Sequence, residues 1–435
     1  ASSDGLRNGQ AGNFKDPKWQ YLGIAVENIE YSTLNPNGTS NWIYHWDETH
    51  NATSCWAEKL TSNSTLSAWI GYCLAQETAT TYNYSGSLNN SDHTYQLSFT
   101  SEEGYSDDRG NNLIANSYTA PIDITTLNDA NFQNAKANIY IYKTGSYLEW
   151  KEQTTSEGFN AGQVIVIPVN TISTLGSEYP HTIASMQAFF VNAIAEGAKF
   201  SVNYENNVYN SLRKENQKRS KSLETENNFN VLKIQINSPT SNDRLYLLEH
   251  ENTTNEFDNG YDAEKFFDNP DGPQIYATTP FGCASICTNE SFDGQAIGFV
   301  ANNENEIYTM TFEIDKLHTY EELYLYDTET GIYIDIIAEE SYQFYASTTP
   351  NHARFYIKST KSNKPENETP TNVETTTWDD IINENQPIYI YSITGQLIEK
   401  YQTPSDFKSH ISNYPIGIYI VKSGNKTFKT TIERK

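Results

Sequence analysis

The sequence predicts an all-β protein built from several domains. Its 31 Tyr residues, together with many Thr and Ile residues, favour strands, whereas Asn and Gly favour the turns between them. Apolar runs such as Ile139–Tyr142 and Val164–Ile167 are too short for helices and are rich in β-branched or aromatic side chains. A chain of 435 residues is also too long for one ordinary core, so we expect about two to four domains.

Two polar stretches indicate where the domains are joined. Arg213–Lys221 form a basic cluster without an apolar period, read here as a solvated linker, a protease site or a lipid contact. Lys361–Thr377 are rich in Pro, Thr and Asn. Many short strand-like segments predict two tandem β-sandwich domains of jelly-roll type and a small immunoglobulin-like β-sandwich at the C-terminus. The predicted units are a sandwich at 13–212, a linker at 213–226, a sandwich at 227–360, a linker at 361–377 and a C-terminal unit at 378–435.

The charge of the chain is strongly acidic and unevenly distributed. The formal net charge is −26 at pH 7, although residues 378–435 carry seven basic and six acidic side chains. Because such a surface repels phosphate backbones, no nucleic-acid partner is predicted. The sequence contains no apolar run long enough for a transmembrane segment. The chain begins at Ala1 without a leader, so either a signal peptide has been removed or the sequence belongs to a longer protein.

The four cysteines fall into two local pairs. Cys55 and Cys73 are close in the sequence, as are Cys283 and Cys287, and neither pair has the C-x-x-C spacing of zinc or redox sites. In an oxidising compartment we expect the disulfides Cys55–Cys73 and Cys283–Cys287. The alternative is that all four are buried, reduced thiols.

Signatures of catalysis are missing from the sequence. It contains no H-E-x-x-H, G-x-S-x-G, P-loop or dinucleotide-binding pattern. His45 and His50 are five residues apart, which would place them on opposite faces of a strand. The many carboxylates leave a glycosidase pair open, because its two members need only meet in space. We therefore predict a protein that is not an enzyme, with no catalytic residue assigned.

Two groups of side chains are candidates for binding. The densest oxygen cluster contains Asp258, Asp262, Asp268 and Asp271 and predicts an optional calcium ion, although no cofactor is required. The alternative is a solvated loop in which Asp258 caps a helix over Tyr261–Phe267. Trp42 and Trp46 would share one face of a strand and could stack on a sugar ring, with core packing as the alternative.

The last 60 or so residues carry a recognisable pattern. A strand at Pro387–Ser392 leads to a turn at Thr394–Gly395, and a second element follows at Asn413–Lys422. This pattern resembles the type A C-terminal sorting domain of the type IX secretion system of Bacteroidota, with Tyr414 where the family usually has Leu. The residues that carry the sorting signal in this resemblance are Thr394, Gly395, Pro415, Gly417 and Tyr419. The alternative is an accessory immunoglobulin-like domain.

This resemblance implies a location and a set of partners. It implies export by the type IX secretion machinery to the cell surface, outside the outer membrane. It also implies removal of the C-terminal unit within Lys361–Trp378 and attachment of the rest to lipopolysaccharide. Segments at Gly110–Asp123, Met186–Val191 and Phe257–Lys265 resemble segments of poorly characterised proteins that bear the same signal.

Taken together, these observations predict a secreted or surface-attached structural or adhesive protein. Its partner would be a glycan or another surface protein. A carbohydrate-binding module is the alternative, and a glycoside-active enzyme is less favoured.

Overall fold

The computed structural model describes most of the chain, with gaps. Among the described residues, none of the helices has the length and apolar content needed to cross a membrane. The predicted linker at 213–226 lies outside the described residues and stays a prediction. The same holds for the predicted linker at 361–377, of which only Lys361 is described. The described residues are 19–35, 42–50, 55–57, 59–75, 81–101, 109–145, 162–209, 229–239, 241–268, 272–304, 306–315, 320–339, 341–361, 387–392, 397–410, 417–423 and 426–432.

The first unit is a β-sandwich of short strands. A four-stranded sheet in the order β11-β10-β13-β7 packs on a three-stranded sheet in the order β6-β14-β9. Phe189 and Phe200 join the two layers, with 6.1 Å between their ring centroids. A further three-stranded sheet has the order β1-β5-β3. The elements are β1 (Trp19–Leu22), β2 (Asn28–Glu30), α1 (Tyr31–Leu34), β3 (Trp42–His45), β4 (Thr65–Ser67), β5 (Tyr72–Ala75), β6 (His93–Gln96), β7 (Asn111–Ala115), β8 (Ile122–Asp123), β9 (Phe132–Gln133), β10 (Asn138–Tyr142), β11 (Val164–Pro168), β12 (Thr182–Ile183), β13 (Ala188–Asn192), β14 (Lys199–Val202) and α2 (Tyr204–Asn207).

The second unit is one long sheet that curls onto itself. Its order is β23-β22-β25-β20-β18-β19-β16-β15-β21-β24, with β17 also paired to β19. Phe299 of β20 and Phe344 of β24 are remote in this order, yet their ring centroids are 5.1 Å apart. The sheet therefore encloses a core between its two halves. The strands are β15 (Asn230–Asn237), β16 (Asn242–Glu249), β17 (Ala263–Glu264), β18 (Gln274–Thr279), β19 (Gly282–Asn289), β20 (Ala296–Val300), β21 (Ile307–Asp315), β22 (Tyr320–Asp327), β23 (Ile332–Asp335), β24 (Ser341–Tyr345) and β25 (Asn351–Lys361).

The β16 strand connects the two sandwiches because it is buried on both faces. Its alternating side chains separate into two sets, as the period of two of a strand requires. Leu245 and Leu247 belong to the core enclosed by the second unit. Tyr246 and Leu248 belong to the core of the first unit. The core of the first unit therefore includes side chains of the second, so the two N-terminal units do not meet only through a linker.

The sequence segments Val231–Ile236 and Arg244–His250 predict an antiparallel pair of strands, and the hairpin that leads into β16 confirms it. β15 and β16 pair antiparallel from Asn230↔Glu249 to Asn237↔Asn242. The prediction of a helix over Tyr261–Phe267 is wrong. The chain turns at Gly260 and then pairs Ala263–Glu264 with β19, because the Asp262 carboxylate accepts the backbone N–H groups of Asp258 and Thr288. Those bonds fix an extended path where a helix was expected.

The recurring segment Gly110–Asp123 serves the fold. Asn116 is fully buried, and its amide donates to the carbonyls of Ala120, Ile183 and Ala184. The Tyr118 ring is also fully buried, and its hydroxyl donates to the carbonyl of Ser91. Buried polar groups with these partners fix a loop in place.

The C-terminal unit is a four-stranded antiparallel sheet in its described part. The sheet has the order β27-β26-β28-β29, and Ile388, Ile390 and Val421 are buried. Phe407 of a short helix is also buried. The sequence predicts strands at Pro387–Ser392, Gln396–Tyr401, Ile418–Lys422 and Lys426–Ile432, and the four strands of this sheet confirm them. The elements are β26 (Ile388–Ser392), β27 (Leu397–Tyr401), α3 (Pro404–His410), β28 (Gly417–Ser423) and β29 (Lys426–Ile432).

Candidate functional site

Aromatic side chains from distant parts of the first unit form one cluster. Tyr21 of β1 stacks on Tyr142 of β10, with 4.9 Å between ring centroids and 26° between planes. Tyr21 also contacts Trp56 at 5.8 Å and Phe190 of β13 at 5.9 Å. All four rings are half-buried. The cluster therefore presents an aromatic floor that is partly open to solvent.

The close approach of β1 to its neighbours depends on Gly23. A Cβ atom there would lie 2.2 Å from the Cβ of Ala115, so a larger residue would push the chain away from β7. The Gly23 N–H also donates to the carbonyl of Met186 at 2.7 Å. These contacts place the end of β1, and with it Tyr21, against the sheet that carries Tyr142 and Phe190.

An open cleft of about 490 Å³ lies beside the Tyr21–Tyr142 stack. Its polar lining includes Gln20, Lys143 and Gln187. Ligand sites typically combine an apolar or aromatic wall with a few polar groups that fix orientation. An aromatic face flanked by amides and an ammonium group suits a neutral polyhydroxylated ring, which stacks on the face and bonds at its edge.

Trp42 and Trp46, the predicted ligand-binding pair, have different surroundings. The Trp46 ring makes edge-to-face contacts with Trp56 and Phe190, each at 5.0 Å. Its indole N–H donates to the carbonyl of Asn111. Trp42 is half-buried, and the Lys59 ammonium lies 5.3 Å from its ring centroid. Trp46 thus packs against two rings of the aromatic cluster. Ligand binding by Trp42 and Trp46 stays a prediction.

The predicted acidic cluster is not assembled as a metal site in the described residues. Asp258 accepts the N–H of Thr254 at 2.6 Å, and Asp262 accepts two backbone N–H groups. Asp268 accepts the N–H of Val164 at 2.5 Å, and Asp271 lies outside the described residues. No group of three or more His, Cys, Asp or Glu side chains within the described part of the chain is placed to hold a metal.

Burial changes the protonation of two of these carboxyls. It raises the pKa of Asp262 to about 7 and the pKa of Asp268 to about 6, because removal from water disfavours the charged form. The backbone N–H groups that each carboxylate accepts oppose this effect. These two side chains fix loops, and calcium is left as an untested prediction.

Neither predicted disulfide is formed, and all four cysteines are thiols in the structure. Cys283 and Cys287 lie four residues apart on β19, which separates their Cα atoms by about 13 Å. Cys73 lies on β5, which pairs with one edge of β3 at Tyr44. Cys55 lies on the opposite side of this segment, where its carbonyl accepts the N–H of Asp47, just after β3. Both separations exceed the ~7 Å limit for a disulfide.

Burial governs the chemistry of these thiols. It raises the pKa values of Cys73 and Cys287 well above the ordinary range of a thiol. Thiols of this kind stay protonated and are weak nucleophiles.

The predicted sorting residues lie only partly in the described residues. Gly417 begins β28 and pairs with Ile432, and Tyr419 pairs with Ser392 and Thr430. Thr394, Gly395 and Pro415 lie outside the described residues. The two that are described therefore occupy the central strand β28 of the C-terminal sheet.

Sequence reasoning missed the Tyr21–Tyr142 stack. The two residues are far apart in the sequence and belong to different strands. The only available signal was the period of two, which places Tyr142 on the same face as Tyr140 and Tyr21 on the same face as Trp19. Which faces meet depends on the order of strands in the sheets, which a single sequence does not reveal.

The fold and the cleft define an all-β protein with a half-buried aromatic cluster beside an open cleft. The chain belongs to a family described as a domain of unknown function, DUF8693, which matches residues 8–358. It is 27% identical over 365 residues to a protein of Porphyromonas gingivalis named minor fimbrium subunit Mfa5. The similar region covers 78% of this chain and 28% of that protein, so the chain spans less than a third of that relative. No solved structure matches the chain.

Proposed function

We propose that the chain is a non-enzymatic structural or adhesive protein of the cell surface. The observation that carries this proposal is the similarity to a protein named as a fimbrium subunit, over 78% of the chain. That length is greater than either N-terminal sandwich alone, so it includes parts of both. The shared core around β16 supports the proposal, because a subunit that transmits force between neighbours needs domains that do not separate easily.

We further propose that residues 378–435 act as an address for the type IX secretion machinery. Support comes from the four predicted strands, which form a separate antiparallel sheet, and from the sorting pattern around Gly417 and Tyr419. After export, the sheet would be removed and residues 1–360 would be joined to lipopolysaccharide. The secretion machinery and the lipopolysaccharide would both be supplied by the host cell.

A truncation tests the export proposal. In a secretion-competent Bacteroidota host, the full chain should be accessible to protease at the surface of intact cells. A chain that lacks residues 378–435 should accumulate in the periplasm and stay protected. A host without the secretion machinery provides the control for the full chain. Surface exposure of the truncated chain would contradict the proposal.

A separate experiment tests the structural role. Filaments sheared from the surface of cells that express the chain should contain it, and deletion of its gene should change filament length or adhesion. If the chain were at the surface but absent from all sheared filaments, a filament subunit would be excluded while export remained supported.

Binding of a neutral glycan is the second candidate function, and the cleft beside Tyr21 and Tyr142 favours it. A glycan array probed with the isolated chain should show binding that Tyr142→Ala weakens about tenfold or more, since an aromatic face is lost. Tyr333→Ala is the matched control because Tyr333 is an exposed tyrosine of the second unit. Equal binding by both variants would exclude the cleft.

A further inference from the structure

Lys265 and Asp243 meet in the interior between the two N-terminal units. The Nζ atom of Lys265 lies 2.5 Å from Oδ2 of Asp243, and their side chains are only 5% and 9% exposed. Asp243 is on β16, and its Oδ2 also accepts the N–H of Ile275 at 2.7 Å. Lys265 follows β17, and its N–H donates to the carbonyl of Cys283 at 2.8 Å. These hydrogen bonds fix the positions of Asp243 and Lys265 and so hold the amine against the carboxyl group.

A third ionisable group stands at the same place. Asp243, Lys265 and Asp268 line one small cavity of about 20 Å³, together with Arg244 and Glu264, and its size is about what a single water molecule needs. Apolar side chains of Val166 and Phe266 complete part of its wall. The cavity therefore brings together the Lys265 amine and the carboxyl groups of Asp243 and Asp268, and the Arg244 guanidinium and the Glu264 carboxyl group also line it.

We propose that Lys265 and Asp243 form an intramolecular isopeptide bond. A proton passes within the pair from Nζ of Lys265 to the Asp243 carboxylate, the nitrogen attacks Cγ, the C–O bond to the resulting hydroxyl breaks, and one water leaves. Asp268 accepts a proton from the attacking nitrogen and returns a proton to the departing hydroxyl. The amine and the acid become an amide plus water, so no oxidant, reductant or activated donor is needed.

The setting favours the amide over an ion pair. Two buried opposite charges lose their hydration, and the attraction between them often fails to compensate for that loss. Condensation replaces both charges with a neutral amide, and fixed geometry raises the effective concentration of the reacting groups. The raised pKa of Asp268, caused by burial, lets it carry a proton near neutral pH.

A second Lys–carboxylate pair in the same interface provides the contrast. Lys136 contacts Glu264, but their side chains are 26% and 28% exposed. Each side chain is thus about a quarter exposed, and contact with water stabilises its charged form more than at the buried Lys265 and Asp243. We therefore assign the bond to Lys265 and Asp243 and expect none at Lys136.

The bond would clamp the junction between the units. It would join β16, the strand shared by the two cores, to the segment after β17, and it would close the intervening residues into a covalent loop. Mechanical pulling would then be unable to separate this segment from β16 without breaking a covalent bond. This inference does not depend on the proposed function, since it rests on the interior alone.

Mass spectrometry of the denatured full chain tests the inference. The intact mass should be lower than the sequence mass by one water molecule. Trypsin should fail to cleave after Lys265, because an acylated lysine is not a substrate. Fragmentation should show two joined peptides, 234–244 and 245–316, with the branch at Lys265 and Asp243. A wild-type mass equal to the sequence mass would overturn the proposal.

Variants show whether the mass deficit of one water molecule arises at Lys265 and Asp243 or elsewhere in the chain. Lys265→Met and Asp243→Ala should restore the full sequence mass, whereas Lys136→Met should keep the deficit. A deficit that persists in Lys265→Met would overturn the proposal, because it would arise elsewhere. Asp268→Asn should slow formation of the bond about a hundredfold, as expected for loss of a proton-transfer group. If a variant does not fold, the branched wild-type peptide still decides the question.

Discussion

The hydroxyl of Tyr246 forms hydrogen bonds between the two N-terminal units. It donates to Oε1 of Glu178 at 2.7 Å and accepts the N–H of Gly176 at 3.1 Å. Tyr246 belongs to β16 of the second unit and is 2% exposed, whereas Gly176 and Glu178 belong to the first unit. The substitution Tyr246→Phe removes this hydroxyl and leaves the ring in place.

The magnitude follows from the groups that lose a partner. A hydrogen bond to a charged group contributes about 1.5–3 kcal/mol, and a buried donor without a partner costs a similar amount. Glu178 keeps an ion pair with Lys233, whose Nζ lies 3.1 Å from its Oε1. Because that pair limits the loss, we expect Tyr246→Phe to lower the free energy of unfolding by about 2–3 kcal/mol.

Tryptophan fluorescence during urea unfolding provides the assay. Six of the seven Trp residues lie in the first unit, whereas Tyr246 lies in the second. If the units share a core, the substitution must shift the fluorescence transition of the first unit to lower urea. The control Tyr333→Phe changes a tyrosine that is 55% exposed and should alter the free energy of unfolding by less than about 0.5 kcal/mol. A fluorescence transition unchanged by Tyr246→Phe would refute the shared core.

Two further predictions concern the first unit. Burial lowers the pKa of His93 to about 4, so the free energy of unfolding should fall as pH decreases from about 6.5 to 4. NMR titration of His93 should show the lowered pKa, and His93→Phe should weaken this pH dependence. Glu48 is buried and accepts the N–H groups of Thr100 and Gly110, so Glu48→Ala should cost about 3 kcal/mol in thermal or urea unfolding. The exposed Glu196→Ala is its control and should cost less than about 0.5 kcal/mol.

Local patterns in the sequence predicted the strands and the hairpins well. Val231–Ile236 and Arg244–His250, joined across the turn at Ser238–Thr240, predicted β15 and β16, and the C-terminal pattern predicted β26 to β29. These signals succeed because side-chain alternation and turn residues act between near neighbours in the sequence. The fold class follows from them directly.

Contacts between segments that are distant in the sequence could not be predicted from it. The sequence of β16 gave no sign that Leu247 and Tyr246 enter different cores. The spacing of Cys283 and Cys287 suggested a short disulfide loop, but both lie on one extended strand, which holds their thiols apart. Strand order and the direction of each chain segment decide such outcomes.

The candidate site shows the same limit. Asp258, Asp262 and Asp268 are close in the sequence and suggested a cation, yet backbone N–H groups occupy their carboxylates. Tyr21 and Tyr142 are more than a hundred residues apart and form the stack beside the cleft. A cluster of similar residues in a sequence is therefore a weaker guide to a site than the faces that the sheets bring together.

Export by the C-terminal unit is the central claim, and a fusion tests it most directly. Residues 361–435 would be joined to an unrelated periplasmic reporter in a secretion-competent Bacteroidota strain. The account predicts that protease added to intact cells destroys the reporter, and that in a strain without the secretion machinery the reporter stays protected in the periplasm. Protection of the reporter in both strains would contradict the assignment of these residues as an export address.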